Sequence, residues 1–106
     1  MIIFYMYQIK DYSFDKIDEL NQALNTDVFN IKPAKNKKKK IDVFIRDKKI
    51  ATIGDSARPD YPTYMLEQDQ EFADKRQKAF FSRFRRLPDI KNGKITTIFW
   101  SRFLLW

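Results

Sequence analysis

Two of the chain's 21 Lys and Arg, Lys10 and Lys16, precede residue 32, and most of the others gather at two places suited to meeting phosphate. The first is Lys32–Lys40 (KPAKNKKKK), with six lysines in nine residues. Lys35, Lys37, Lys38, Lys39 and Lys40 repel one another unless a polyanion lies near. Ammonium groups on such a segment contact phosphate oxygens without reading base sequence. The plain alternative is a solvated or solubilising loop. The second place is residues 75–86, a stretch without an acid that holds Lys75, Arg76, Lys78, Arg83, Arg85 and Arg86. Read as a helix, it sets Phe72, Ala73, Phe80, Phe84 and Leu87 on one arc. Lys75, Lys78, Arg85 and Arg86 then form an exposed basic ridge on the other side.

Arg76 and Arg83 fall within the apolar arc. A guanidinium there must snorkel, find a carboxylate or hold an external anion, because an unpaired buried charge is costly. Asp55 and Asp60, in the segment before the helix, are the expected partners, giving internal ion pairs that pin loop to helix; a phosphate site is the alternative.

Catalysis finds little to work with. The chain has no His and no Cys, which removes imidazole mechanisms, thiol nucleophiles, disulfides and the usual Cys/His zinc sites. Pro59-Asp60 and Pro88-Asp89 invite comparison with metal-dependent nucleases. The acid-x-lysine element that should follow is missing at a workable spacing: Asp74-Lys75 is out of register, and Asp89-Ile90-Lys91 reuses its own Pro-Asp. With two glycines in all, there is no Gly-rich phosphate loop. A protein that binds, without enzymatic activity, cofactor or metal, is the expectation.

The elements that must position these groups read as α+β: a small, mainly antiparallel sheet, an early helix and a helical C-terminal half. Ile2–Ile9 (IIFYMYQI) is β-branched and aromatic and predicts an opening strand. Ser13 is placed to cap a helix carrying Phe14, Ile17, Leu20 or Ala23, and Leu24 at helical spacing. Asn25-Thr26-Asp27 ends it, and Val28–Ile31 predicts a second strand. Residues 32–40 then form a flexible basic loop. Ile41–Arg46 and Lys49–Ile53 flank a turn at Asp47-Lys48. Turn chemistry fills Gly54–Thr63, and helical spacing runs from Tyr64 to Leu87 with a break near Gln68–Gln70, until Pro88 stops it. Asn92-Gly93 predicts another turn. The closing segment carries Phe99, Trp100, Phe103, Leu104, Leu105 and Trp106, too many large apolar groups for an exposed tail. Closure of the core, with Trp100 and Phe103 against Phe80 and Phe84, is preferred to docking on a partner protein.

At 106 residues, one domain spanning 1–106 is expected. An apolar fraction of 43% is too high for a disordered chain despite 33% charged residues. The net charge of +7 is uneven: residues 1–31 carry two Lys against five acids, so the remainder holds more than the whole excess. That asymmetry points to a polyanionic partner. No apolar run is long enough to span a membrane. Met1–Tyr7 lacks the basic start and small-residue cleavage site of a signal peptide, so a protein kept inside the cell is expected.

Gly54-Asp55-Ser56, Asp60-Tyr61-Pro62-Thr63-Tyr64, Ala73-Asp74-Lys75-Arg76, Arg83 and the closing Phe99-Trp100-Ser101-Arg102-Phe103-Leu104-Leu105-Trp106 together resemble an uncharacterised family of small basic proteins of large DNA viruses and tailed phages. The resemblance covers about residues 54–106, half of the chain; residues 1–40 have no part in it. Family members tend to carry Tyr and His where this chain has Phe80 and Phe84, and some extend past the final Trp. A histidine-dependent activity is therefore not expected here, and the resemblance supplies no mechanism. It implies a viral source, and with it a location in the virion or the interior of the infected cell.

Two functions follow as expectations. One is phosphate-mediated, sequence-nonspecific binding of nucleic acid, DNA before RNA, through the lysine segment and the basic ridge. The other is a minor capsid or assembly protein that meets viral structural proteins through its basic face and through Phe99, Trp100, Phe103 and Trp106.

Overall fold

A computed structural model describes residues 7–106. The order is α1 (Asp11–Ala23), β1 (Phe29–Pro33), β2 (Ile41–Ile45), β3 (Lys48–Ile53), α2 (Tyr61–Glu67), α3 (Gln70–Phe84), β4 (Ile90–Lys91), β5 (Lys94–Ile95) and α4 (Thr97–Leu105). The chain is α+β. β1, β2 and β3 form an antiparallel sheet in sequential order, and β4–β5 is a separate small hairpin.

The sheet register explains the core. Ile31 pairs with Val43 and Val43 with Ala51, while Ile41 pairs with Ile53. Period-two alternation puts these five on one face, where all are buried. α1 and α4 cover that face, α1 supplying Ile17 and α4 supplying Trp100, Leu104 and Leu105. Trp100 meets Phe29 and Phe99 at centroid distances of 5.9 and 5.1 Å. The opposite face is not simply wet: Asp42 is buried there, accepting from Thr52 Oγ1 at 2.7 Å and from the Lys35 amide at 3.2 Å.

Several sequence expectations need correction. The opening strand Ile2–Ile9 lies mostly outside the described residues, and Tyr7–Lys10 are not in a strand. Ser13 is not the cap of α1; the helix starts at Asp11, with Lys10 at the cap position. The Ser13 hydroxyl instead donates to the Leu104 carbonyl at 2.6 Å, satisfying one of the carbonyls that the last turn of α4 leaves open. Asn25, at φ 51°, ends α1 as expected: the amides of Asn25 and Thr26 bond to the carbonyls of Gln22 and Asn21, a Schellman closure. Asn21 then clamps α1 to β1 by pairing its amide side chain with both backbone groups of Phe29.

The loop expected over 32–40 is shorter, because Lys32 and Pro33 complete β1. The β2–β3 turn is Arg46-Asp47, one residue earlier than expected, since Ile45 pairs directly with Lys48. α2 opens at Tyr61 because Asp60 caps it, its carboxylate accepting from the Thr63 amide at 3.0 Å. Asp69 caps α3 in the same way, which accounts for the break in the long helical pattern. Asn92 and Gly93 both have positive φ, as a two-residue β4–β5 turn of type I′ requires.

The largest correction concerns the helical half. α4 packs on α1 and β3, so Trp100 sits under the sheet and not against α3. It is Trp106 that stacks on Phe80, at 4.5 Å between centroids. α3 buries only Ala73, and Phe72 and Leu87 stay exposed. Its arc of rings is interrupted by Arg76 and Arg83, which hold that side open to water. α3 is held through its flanks: Asp74 accepts from Tyr61 Oη at 2.9 Å, and the Gln77 side chain donates to the Trp106 carbonyl. Arg102 reaches back to the Phe84 carbonyl, to the Leu87 carbonyl at 2.8 Å and to Asp89 at 2.7 Å, capping the end of α3.

Trp100 to Ala should therefore cost about 3–5 kcal/mol, as expected for a large ring lost from a closed core. Leu66 to Ala, at an exposed site, should change stability by no more than about 0.5 kcal/mol. Equilibrium unfolding in denaturant measures both.

Candidate functional site

Lys40 is the first departure from the expected phosphate-contacting set. Its amide bonds to the Ile53 carbonyl and its carbonyl accepts from the Ala34 amide, so its backbone already belongs to the sheet ladder. The side chain is thereby aimed inward. It is 3% exposed and meets Asp60, itself fully buried, at 2.8 Å. Tyr7 Oη donates to the same carboxylate oxygen at 2.6 Å, while the other oxygen caps α2. Burial pushes the Asp60 carboxyl upward, but the Lys40 charge and the hydrogen bonds from Lys40, Tyr7 and Thr63 outweigh it and hold it below the usual aspartate range. Burial, then the Asp60 charge, pushes the Tyr7 phenol well above its ordinary value.

The expected pairing of Arg76 and Arg83 with Asp55 and Asp60 is not what forms. Asp60 is consumed by Lys40, and Asp55 lies 3.6 Å from Arg58 in an exposed pair. Among the described residues, no carboxylate comes within ion-pair distance of Arg76 or Arg83. Both guanidiniums lie over rings instead. Arg76 stands 5.6 Å from the Tyr64 centroid and 5.8 Å from that of Phe72, with Nε 3.4 Å from Tyr64 Oη. Arg83 stands 5.1 Å from that of Phe84.

These residues line one cleft of about 580 Å³ between the 54–59 segment, α3 and α4. Arg58, Arg76 and Arg83 supply cationic groups to it. Tyr64, Phe80, Phe84 and Trp106 supply rings, and Ile98 and Leu105 add apolar surface. Lys40 also touches it, but its charge is met by Asp60. Gly54 shapes the inner end. Its φ is +85°, and a Cβ there would come within 2.9 Å of both Leu105 Cδ1 and the Lys40 stem. Only glycine lets those three segments converge.

The remaining sequence candidates divide. Lys35, Lys37, Lys38 and Lys39 are exposed on the β1–β2 loop, and the Lys38 carbonyl accepts from the Ser56 amide at 3.0 Å. That bond places the lysine loop beside the segment that forms one wall of the cleft. Lys75, Lys78, Arg85 and Arg86 are exposed, with Lys75 3.6 Å from Glu71. They do not join the cleft. Lys78 lies about 160° round the helix from Arg76 at the usual 100° per residue. Trp100 is buried, whereas Phe99, Phe103 and Trp106 are half-buried, and of these four only Trp106 lines the cleft. Sequence reasoning missed Arg58, Tyr64 and the cleft role of Phe80 and Phe84. The seven-residue spacing of Arg76 and Arg83 beside Phe80 was the signal available for the α3 wall.

No family model matches the chain, and no curated protein or solved structure matches it at a significant level.

Lys40 to Met strands the Asp60 carboxylate and should cost roughly 3–5 kcal/mol, the usual penalty for halving a buried pair. Arg76 to Ala and Arg83 to Ala should leave the unfolding midpoint close to the parent's. The depressed Asp60 carboxyl stabilises the fold above the ordinary aspartate pKa of about 3.9, and that contribution is lost as pH falls through the lower folded value. The raised Tyr7 phenol acts at the other end, its contribution declining as pH rises beyond about 10. Denaturant midpoints across pH test both, and Lys40 to Met should flatten the acid limb.

Proposed function

We propose that the chain is a non-enzymatic nucleic-acid-binding protein that works through phosphate contacts with little sequence preference, in the viral setting its resemblance implies. The observation that carries this reading is the pair of guanidiniums, Arg76 and Arg83, that meet no carboxylate among the described residues, in a cleft where the one lining side-chain carboxylate among those residues, Asp55, is already beside Arg58. The exposed Lys35, Lys37, Lys38 and Lys39 adjoin it and extend the positive surface. Such a surface attracts a polyanion, releases its counterions and carries no base-reading element. Packaging with a viral genome would suit it.

The assembly alternative relies on a free aromatic C-terminus. It has less support, because Trp100, Leu104 and Leu105 are taken up by the core. No helix among the described residues is long and apolar enough to cross a membrane, and membrane attachment forms no part of the proposal.

Binding to bulk DNA should weaken with salt at a slope of about −0.9 in log–log form for each phosphate neutralised. Replacing Lys35, Lys37, Lys38 and Lys39 by Ser should make the slope shallower by about 0.9 for each lysine in contact, and equally for unrelated sequences. Lys40 should stay in place, since its loss unfolds and does not merely discharge. Fluorescence anisotropy across a salt series is the measurement, and an unchanged slope removes the loop from the interface.

A further inference from the structure

Resting on the phosphate-binding function proposed above, we infer that the cleft between the 54–59 segment, α3 and α4 takes single-stranded nucleic acid, with phosphates on Arg58, Arg76 and Arg83 and an unstacked base against its rings. The volume of about 580 Å³ lies in the range of 300–1,000 Å³ that holds small ligands, enough for part of a strand and too small to enclose a duplex.

Two kinds of group alternate along the α3 wall. Arg76 and Arg83 are two turns apart, about 10 Å along the helix axis, so they address separate points on a strand. Guanidiniums present planar forks that match phosphate oxygens. Phe80 lies between them in sequence, half-buried, and continues into Trp106 through parallel stacking at an interplanar angle of 8°. Phe84 tilts against Phe80 at 4.7 Å, and Tyr64 stands 6.3 Å from Trp106. Four rings reach one cleft, and of these only Trp106 also packs against the core beneath the sheet.

Aromatic faces beside a cationic groove are the means by which proteins hold single strands, because every base has a π-face whatever the sequence. Bases inside a duplex are stacked on each other and cannot reach rings recessed between two helices. An acidic peptide would satisfy the guanidiniums and leave the rings unused. Asp55 sits at the edge, where an entering phosphate competes with it for Arg58.

The test uses the full chain, with a short oligothymidylate, a duplex of equal charge and poly-glutamate as probes. The Arg76→Gln/Arg83→Gln double variant should weaken oligothymidylate binding by about 100-fold or more, as expected for two charge-assisted contacts. Duplex binding should change far less. Lys91→Gln/Lys94→Gln removes the same charge from the exposed β4–β5 hairpin, outside the cleft, and should leave the single-strand preference intact. Trp106 fluorescence should be quenched by the oligonucleotide, with Trp100 shielded in the core. Duplex bound as tightly as single strand, with both weakened equally by the arginine variant, overturns the cleft assignment and leaves general phosphate binding standing. Poly-glutamate competing as well as oligothymidylate also overturns it. Failure of every nucleic acid to bind at low salt removes both proposals together.

Discussion

The buried contact of Lys40 with Asp60 is the constraint on which the arrangement of this molecule turns. Both charges are almost completely removed from water, which is unfavourable for each alone and tolerable only because they meet at 2.8 Å with further hydrogen bonds from Tyr7 and Thr63. The contact joins the residue just before β2 to the residue that caps α2. It therefore fixes where the helical half begins relative to the sheet. Tyr7, from the segment before α1, completes the arrangement, so three distant stretches converge on one carboxylate. Such a centre specifies geometry more than it adds net stability, because a well-packed apolar replacement of the whole pair can do as well.

From that point the cleft follows by exclusion. Asp60 has no capacity left for Arg76 or Arg83, and Asp55 lies out at the edge with Arg58. α3 cannot turn its ring-bearing side fully onto the sheet without burying two guanidiniums that lack carboxylates. It stands off instead, fastened by Tyr61 to Asp74, by Gln77 to the end of the chain and by Arg102 at its C-terminus. The space between is lined by the groups that prevented its closure. Cations remain accessible, and rings that would otherwise have joined the core stay half-exposed.

The sheet side is conventional by comparison. Its apolar core comes from alternating strand positions and from one stripe on each of α1 and α4, and buried side-chain polar atoms among the described residues all have partners. Ser13 and Asn21 show how this is done economically: each spends a polar side chain on backbone groups that a neighbouring element leaves open. The stable half thus supplies a rigid base, and the groups suited to ligand contact are carried on its less tightly packed margin.

The α+β class, the early helix, the three strands after it, the break before Gln70 and the Asn92-Gly93 turn were all legible in the sequence, because each depends on local spacing, capping or turn chemistry. So were the surplus of cations after residue 31 and the absence of imidazole and thiol chemistry. The sequence also showed that Arg76 and Arg83 had to snorkel, find a carboxylate or hold an anion. Tertiary structure alone decided which carboxylate goes to which cation. One lysine of a six-lysine run became a core residue because its backbone joined the ladder, a distinction invisible in a string of identical charges. It also decided that Trp106, and not Trp100, would meet Phe80, since α4 chose the sheet over α3. Periodicity reports which side of an element is apolar, whereas the neighbour that covers it, and the gap left where none can, depend on contacts between residues far apart in the chain.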